Sequence, residues 1–299
     1  MAEKGQCPIP GLSKVILCTN GTPQCEGAER GAIRLALSCS IPLVALGVVE
    51  TNPEYEALAP GLVEKAGAVA REHLEAVCRR AEEAGARCAV LVRHGDEPHR
   101  SIVEEASGSG ADLIVMGRRG LTGLKRAVLG SVTAKVIGHS PCDVLVAPAE
   151  AELGFRHILA ATDGSRWSEA AAARAISIAA NMGSALSVVS VAPSEAMERL
   201  DMVHSEMRSG LIAERESAIA EENARKVKDL AEKEGVRARA FVIAGRPFEA
   251  ILEAAADVRA DLVVMGSHGR TGLEKLLMGS VTQKVVTLSP RAVLVVRAR

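Results

Sequence analysis

The chain has 299 residues, 48% hydrophobic and 24% charged, with 36 basic against 37 acidic side chains and a formal net charge of −1. That balance offers no bulk attraction to nucleic acid or to an anionic membrane, and the length accommodates two domains, each with its own core. Five aromatics (Tyr55, Phe155, Trp167, Phe241 and Phe248) leave little from which to build a base-stacking platform, which argues against single-stranded nucleic acid as a partner.

No apolar run approaches the roughly 18–20 residues that cross a bilayer, and the opening MAEKGQCPIPG lacks the apolar segment of a secretory signal. The expectation is a cytoplasmic protein with no membrane contact. All seven cysteines (Cys7, Cys18, Cys25, Cys39, Cys78, Cys88 and Cys142) fall in the first half. The odd count and the absence of Cys-x-x-Cys argue against a disulfide framework and a zinc ribbon. Reduced core thiols are one reading, and a redox or metal role for the first half is the other.

In chain order, a tail reaches residue 12. Residues 14–19 (KVILCT) then form an apolar run closed by Asn20-Gly21, a buried strand and its turn. A helix is predicted over 27–40, a second buried strand over 43–49, and a loop over 51–61, where Pro53 and Pro60 break regular structure. An amphipathic helix follows over 62–84, closed by Gly85. Residues 87–93 form a third strand, 98–106 a short helix opened by Pro98, and 112–116 (DLIVM) a fourth strand. A helix from about 131 to 138 and a strand over 143–147 complete the half. Residues 148–154 (PAEAELG) form a short polar linker between domains 1–149 and 155–299.

The pattern then restarts. Strands are predicted over 157–162, 185–191, 237–243, 261–265 and 292–296, with helices over 168–181, 211–234 and 247–256. The offset between halves drifts from 143 at Asn20/Asp163 to 150 at Gly85/Gly235, so the second half carries extra residues around 193–210. These include Met197, Met202 and Met207, which suit a lid or partner surface, or more often a loop folded over the core. Strands alternating with helices imply right-handed crossovers and parallel sheets covered on both faces. Ligands bind such sheets at the carboxyl ends of the strands, at the switch in strand order.

A duplicated motif occupies that place. Residues 116–146 and 265–295 align without a gap at an offset of 149, with 17 of 31 positions identical. Each copy has an apolar run, Gly-x-x-Gly, nine residues and Gly-Ser: Gly117, Gly120, Gly130 and Ser131 in the first, Gly266, Gly269, Gly279 and Ser280 in the second. Gly117 and Gly266 end strands where a side chain would block a ligand, and Gly120 and Gly269 permit positive φ. Ser131 and Ser280 are expected as N-caps of helices whose free N–H groups and positive dipole end suit phosphate. Arg118, Arg119, Lys125 and Arg126 crowd the first loop, and His268, Arg270 and Lys275 lie in the second. Glycines that merely end strands and serines that merely cap helices would look alike in one copy; the same spacing kept twice favours an anion site. Neither G-x-x-x-x-G-K-[ST] nor a G-x-G-x-x-G after the first strand of either half occurs.

On these residues, and on the flanking DLIVMG, GSVT and SP-x-x-VLV, the sequence resembles the universal stress protein family along nearly its whole length. The resemblance implies an α/β fold of two tandem doubly wound five-stranded parallel sheets, strand order 3-2-1-4-5, Rossmann-like and of the adenine-nucleotide-hydrolase type. It implies an adenine nucleotide, ATP with or without Mg²⁺, as ligand, pairing of domains through their fifth strands within the chain, and room for a homodimer. It assigns nucleotide binding to Asn20, Val49, Gly117, Gly120, Gly130, Ser131 and Val132 in the first half. In the second it assigns Asp163, Val191, Gly266, Gly269, Gly279, Ser280 and Val281. The family places Asp where the first half has Asn20, so the second site is expected to bind ATP better. A regulatory stress-response protein with little turnover is the first functional reading. A slow ATPase or nucleotide-dependent transferase, with His268 as the candidate base, is the second. Binding of AMP or FAD, as in the related electron-transfer flavoproteins, is the third. No residue is assigned a catalytic or metal-binding role.

Overall fold

The computed structural model describes residues 6–118, 129–192, 206–270 and 278–298, with backbone alone over 206–212. It divides into two compact units at Leu153/Gly154.

In the first unit β1 (Val15–Cys18), β2 (Leu43–Glu50), β3 (Cys88–Gly95), β4 (Leu113–Gly117) and β5 (Asp143–Ala147) lie in the order β3-β2-β1-β4-β5. Every pairing is parallel, with Val15 opposite both Leu43 and Leu113, Leu43 opposite Cys88, and Leu113 opposite Asp143. Every residue of β1, β4 and β5 is buried, as strands covered on both faces require. The cover comes from α1 (Glu26–Cys39), α3 (Pro60–Glu83), α4 (Pro98–Ser109) and α5 (Ser131–His139), while the short α2 (Pro53–Leu58) buries no residue and leads into α3. Their inner stripes repeat at helical spacing: Ala28, Ala32, Leu35 and Ala36 on α1, and Leu74, Val77 and Ala81 on α3.

The second unit repeats the plan with β6 (His157–Ala161), β7 (Ala185–Ala192), β8 (Ala238–Ala244), β9 (Leu262–Gly266) and β10 (Ala292–Val296), in the order β8-β7-β6-β9-β10. Its described helices are α6 (Arg166–Met182), α7 (Glu206–Lys233), α8 (Pro247–Asp257) and α9 (Ser280–Leu288). The expected pair of doubly wound parallel sheets is therefore the fold. No described helix is long and apolar enough to cross a membrane.

Several expectations are corrected. Residues 51–61 are not a loop: α2 starts at Pro53 behind an Asn52 cap whose Oδ1 accepts the Tyr55 N–H at 2.7 Å, and α3 starts at Pro60. Proline opens both helices because the first turn needs no N–H donor. Residues 148–153, expected as linker, are packed on α1: Arg30 Nη2 donates to the Ala149 carbonyl at 2.6 Å and Arg34 Nη1 to that of Leu153 at 2.7 Å. A Cβ on Gly27 would lie 1.9 Å from the Pro148 carbonyl oxygen, so only glycine lets that segment approach. The thiols are not all reduced: Cys7 bonds Cys39, and Cys78 bonds Cys88. Cys78 faces inward on α3 and Cys88 opens the neighbouring β3, a juxtaposition set by tertiary packing and invisible in cysteine spacing. Cys18, Cys25 and Cys142 stay outside the bridges, buried; burial pushes the Cys18 thiol far above its ordinary value, so it is inert at neutral pH.

Candidate functional site

The second-unit site lies where β6, β7 and β9 end and α9 begins. A cavity of about 310 Å³ is lined there by Asp163, Val191, Gly266, Gly269, Gly279, Ser280 and Val281 among others, bringing together all seven residues predicted for this half. The volume is at the lower end of those that hold small cofactors.

Each glycine has a specific reason. A Cβ on Gly266 would lie 2.7–2.8 Å from the carbonyl group and Cβ of Trp167, at the start of α6. A Cβ on Gly269 would lie 2.7 Å from Asp163 Oδ2. Gly269 is not among the residues of positive φ, which corrects the expected backbone role; it is small so that the motif loop can reach the aspartate. Positive φ occurs instead at Gly164, in the turn after β6. Gly279, with extended φ −63° and ψ 144°, is the N-cap of α9, and Ser280 is the first helical residue. The expectation of Ser280 as cap, and of Ser131 in the first unit, is corrected by one position: Gly130 caps α5 with φ −60° and ψ 138°. Neither helix has a side-chain cap. The first N–H groups of α9, which lines the cavity, are thus without a competing cap side chain. Thr282 Oγ1 donates to the Gly266 carbonyl at 2.8 Å, and the Gly279 N–H donates to the Ser267 carbonyl at 2.9 Å. These bonds lock the end of β9 to the helix start.

Asp163 organises the opposite wall. Its Oδ1 accepts the Ser165 N–H at 3.0 Å, and its Oδ2 accepts the Arg270 N–H at 2.8 Å. It is the only carboxylate among the described lining residues. One carboxylate is too few to build a dedicated protein cage for a divalent cation. Arg270 extends a guanidinium to Glu216 on α7 at 2.7 Å. His268 lies with its ring centroid 5.4 Å from that of Trp167, and its Nδ1 is 3.1 Å from Ser267 Oγ. Sequence reasoning missed Trp167, the chain's single tryptophan, because nothing in its local sequence announces that the start of α6 packs on the motif.

The first unit places Gly117, Gly130, Ser131 and Val132 at the corresponding ends of β4 and α5, Asn20 just after β1, and Val49 within the end of β2. Thr133 Oγ1 donates to the Gly117 carbonyl at 3.1 Å, repeating the lock in the second unit. Gly120, Arg119, Lys125 and Arg126, like Lys275, Met197 and Met202, lie outside the described residues, as does the Met207 side chain. Asn20 Oδ1 accepts from the Thr22 N–H at 3.3 Å, the Thr22 hydroxyl at 2.9 Å and the Cys25 thiol at 3.2 Å. Its other head atom is an NH₂ donor, which cannot accept a main-chain N–H as Asp163 Oδ2 does.

A first-unit cluster of Glu29, Arg80 and His73, joined by Thr19, has no second-unit equivalent for its three charged or titratable members. The buried Glu29 carboxylate accepts from Arg80 at 2.5 Å and from Thr19 Oγ1 at 2.7 Å, and lies 2.9 Å from His73 Nε2. The aligned second-unit residues are Ala172, Leu230 and Asn223. Burial pushes the Glu29 pKa up, but the hydrogen bonds from Arg80 and Thr19 and the charge of His73 more than offset it, leaving the carboxyl below its ordinary value. Among the described residues no group of three or more His, Cys, Asp or Glu is placed to hold a metal ion.

A parallel α/β sheet in each of two units, with a helix starting near the end of its fourth strand, defines a Rossmann-like protein in tandem. The universal stress protein family model matches residues 11–148 and again 154–297, so the chain belongs to that family as two consecutive domains. A universal stress protein of Methanocaldococcus jannaschii is 37% identical over 146 residues, 48% of this chain and 82% of that protein. A putative universal stress protein of Staphylococcus aureus is 30% identical over 139 residues, 46% of this chain and 84% of its own. The crystal structure of a universal stress protein from Archaeoglobus fulgidus superimposes with a TM-score of 0.69 over 95% of this chain and 96% of that one; at 21% identity the likeness is one of fold.

Proposed function

We propose that this universal stress protein binds ATP in its second unit and acts in the stress response as a nucleotide-dependent regulator with little or no turnover. The observation that carries this reading is the convergence of Gly266, Gly269 and the bare N-terminus of α9 on one cavity, facing Asp163 and Val191. The glycines leave room for a phosphate chain against main chain, and the helix start supplies N–H donors and a positive dipole end. Asp163 retains lone pairs for a ligand hydroxyl beside its two main-chain bonds. The first-unit site, with Asn20 in that place, is the weaker of the two. Turnover would require a positioned base; His268 is the lining residue with that chemistry, and its Nδ1 lies against Ser267.

Two measurements on the full chain test the reading. Trp167 is a built-in reporter, and its fluorescence should change saturably as ATP is added. Nucleotide released from freshly purified protein should be intact ATP by mass spectrometry. Release of ADP alone would favour hydrolysis, and the absence of both bound nucleotide and ATP titration would remove the proposal.

A further inference from the structure

We propose that the Cys78–Cys88 bridge is a reversible thiol–disulfide site, and that its redox state sets the seat of α3 in the first unit. The internal repeat supplies the argument. The second unit builds the same helix–strand pair, α7 and β8, with Lys228 and Ala238 where the first has Cys78 and Cys88. Val77 and Ala81 on α3, and Val227 and Ala231 on α7, are buried alike, so apolar packing holds both helices down. The second unit therefore seats this helix without a bridge.

What the bridge does control is α3. That helix carries Cys78 between His73 and Arg80, which hold the buried Glu29. The His73 ring also presses on the turn after β1: a Cβ on Gly21 would lie 3.1 Å from it. Cys78 to Cys88 thus pins the C-terminal end of the helix that forms one wall of the Asn20–Thr22 region.

Cys88 is the less buried residue of the pair, so the exchange is written with Cys88 Sγ as the sulfur attacked by an incoming thiolate. Attack there breaks the S–S bond, forms a mixed disulfide at Cys88 and releases Cys78 as a thiolate, which takes a proton from water. A second thiolate of the same couple attacks the outer sulfur of the mixed disulfide and releases Cys88, which is protonated in turn. The net exchange converts the bridge and two small thiols into two cysteine thiols and one small disulfide, and oxidation by that small disulfide runs the same steps backward. The chemical partner is a glutathione-class thiol–disulfide couple.

The test uses the full chain equilibrated across ratios of reduced to oxidised glutathione, followed by alkylation under denaturing conditions and peptide mass spectrometry. Cys78 and Cys88 should interconvert together while the far-UV circular dichroism is unchanged. Hydrogen exchange in α3 and β3 should speed up by about tenfold or more on reduction, with α7 and β8 unaffected. A double variant, Cys78→Ser with Cys88→Ser, should show the fast exchange in either buffer, whereas Cys7→Ser with Cys39→Ser should keep the response. The proposal is overturned if Cys78 and Cys88 stay alkylatable in the oxidised buffer. It is equally overturned if reduction unfolds the first unit, which would make the bridge a structural staple, or if α3 exchange ignores the redox state.

Discussion

The Asp163 carboxylate accepts the main-chain N–H of Arg270 at 2.8 Å, joining the turn after β6 to the glycine loop after β9 across 107 positions of sequence. The same side chain closes its own turn through the Ser165 N–H at 3.0 Å. Asp163→Asn keeps one acceptor and turns the other into a donor, as in the first unit. Hydrogen bonds to a charged group contribute roughly 1.5–3 kcal/mol, so the variant should lose about 1–2 kcal/mol of second-unit stability. ATP affinity should fall at least about tenfold, since the loop is no longer held where the phosphate chain would lie. Urea unfolding and an ATP titration followed at Trp167 check the two losses separately.

The two motif glycines should fail differently. Ala at 266 meets the main chain of Trp167 at 2.7–2.8 Å, which cannot swing aside, whereas Ala at 269 meets the end of the Asp163 side chain at 2.7 Å. Gly266→Ala should therefore cost roughly 1–3 kcal/mol or more, as overpacking does. Gly269→Ala should cost less stability and still abolish tight ATP binding, because the carboxylate must turn away. Thermal unfolding with and without ATP distinguishes the two outcomes.

Ser280 separates capping from ligand contact. A serine at the N-cap is worth about 1 kcal/mol, but here Gly279 is the cap. Ser280→Ala should leave stability within about 0.5 kcal/mol of the parent and weaken ATP binding. A stability loss near 1 kcal/mol with unchanged affinity would return Ser280 to a capping role.

The Glu29 cluster should show in the pH dependence of stability. Its carboxyl has a lower pKa in the folded chain than in the unfolded one, so the stabilisation is fully present above the unfolded value and is lost as pH falls through the folded one. Urea midpoints measured from pH 7 down to 3 should drop, and Glu29→Gln should remove part of the drop. Arg80→Ala at pH 7 strands the buried carboxylate; the cost should be about 1–3 kcal/mol, less than for a fully buried pair because Arg80 is half exposed to solvent.

Much of this was legible in the sequence. Fully apolar runs such as LIVM at 113–116 and LVVM at 262–265, short and followed by glycine, read as strands buried on both faces, and the repeated glycine spacing followed the fourth strand of each half. What escaped was whatever depends on residues meeting in space. Glu29 meets His73 and Arg80 across separations of 44 and 51 residues, and Cys78 meets Cys88 only because α3 lies against β3. Gly269 looked like a turn residue because glycine permits positive φ, yet its role is to leave space for Asp163, itself far upstream. Ser280 looked like a cap because serine is a good one, but the preceding glycine already has the extended backbone that the position requires.

Calorimetric titration of the full chain with ATP tests the central claim most directly, run in parallel on Asp163→Asn and Asn20→Ala. One strong site per chain is expected, lost or weakened at least about tenfold in Asp163→Asn and unchanged in Asn20→Ala. Two equal sites, or a strong site that survives Asp163→Asn and disappears in Asn20→Ala, would contradict it.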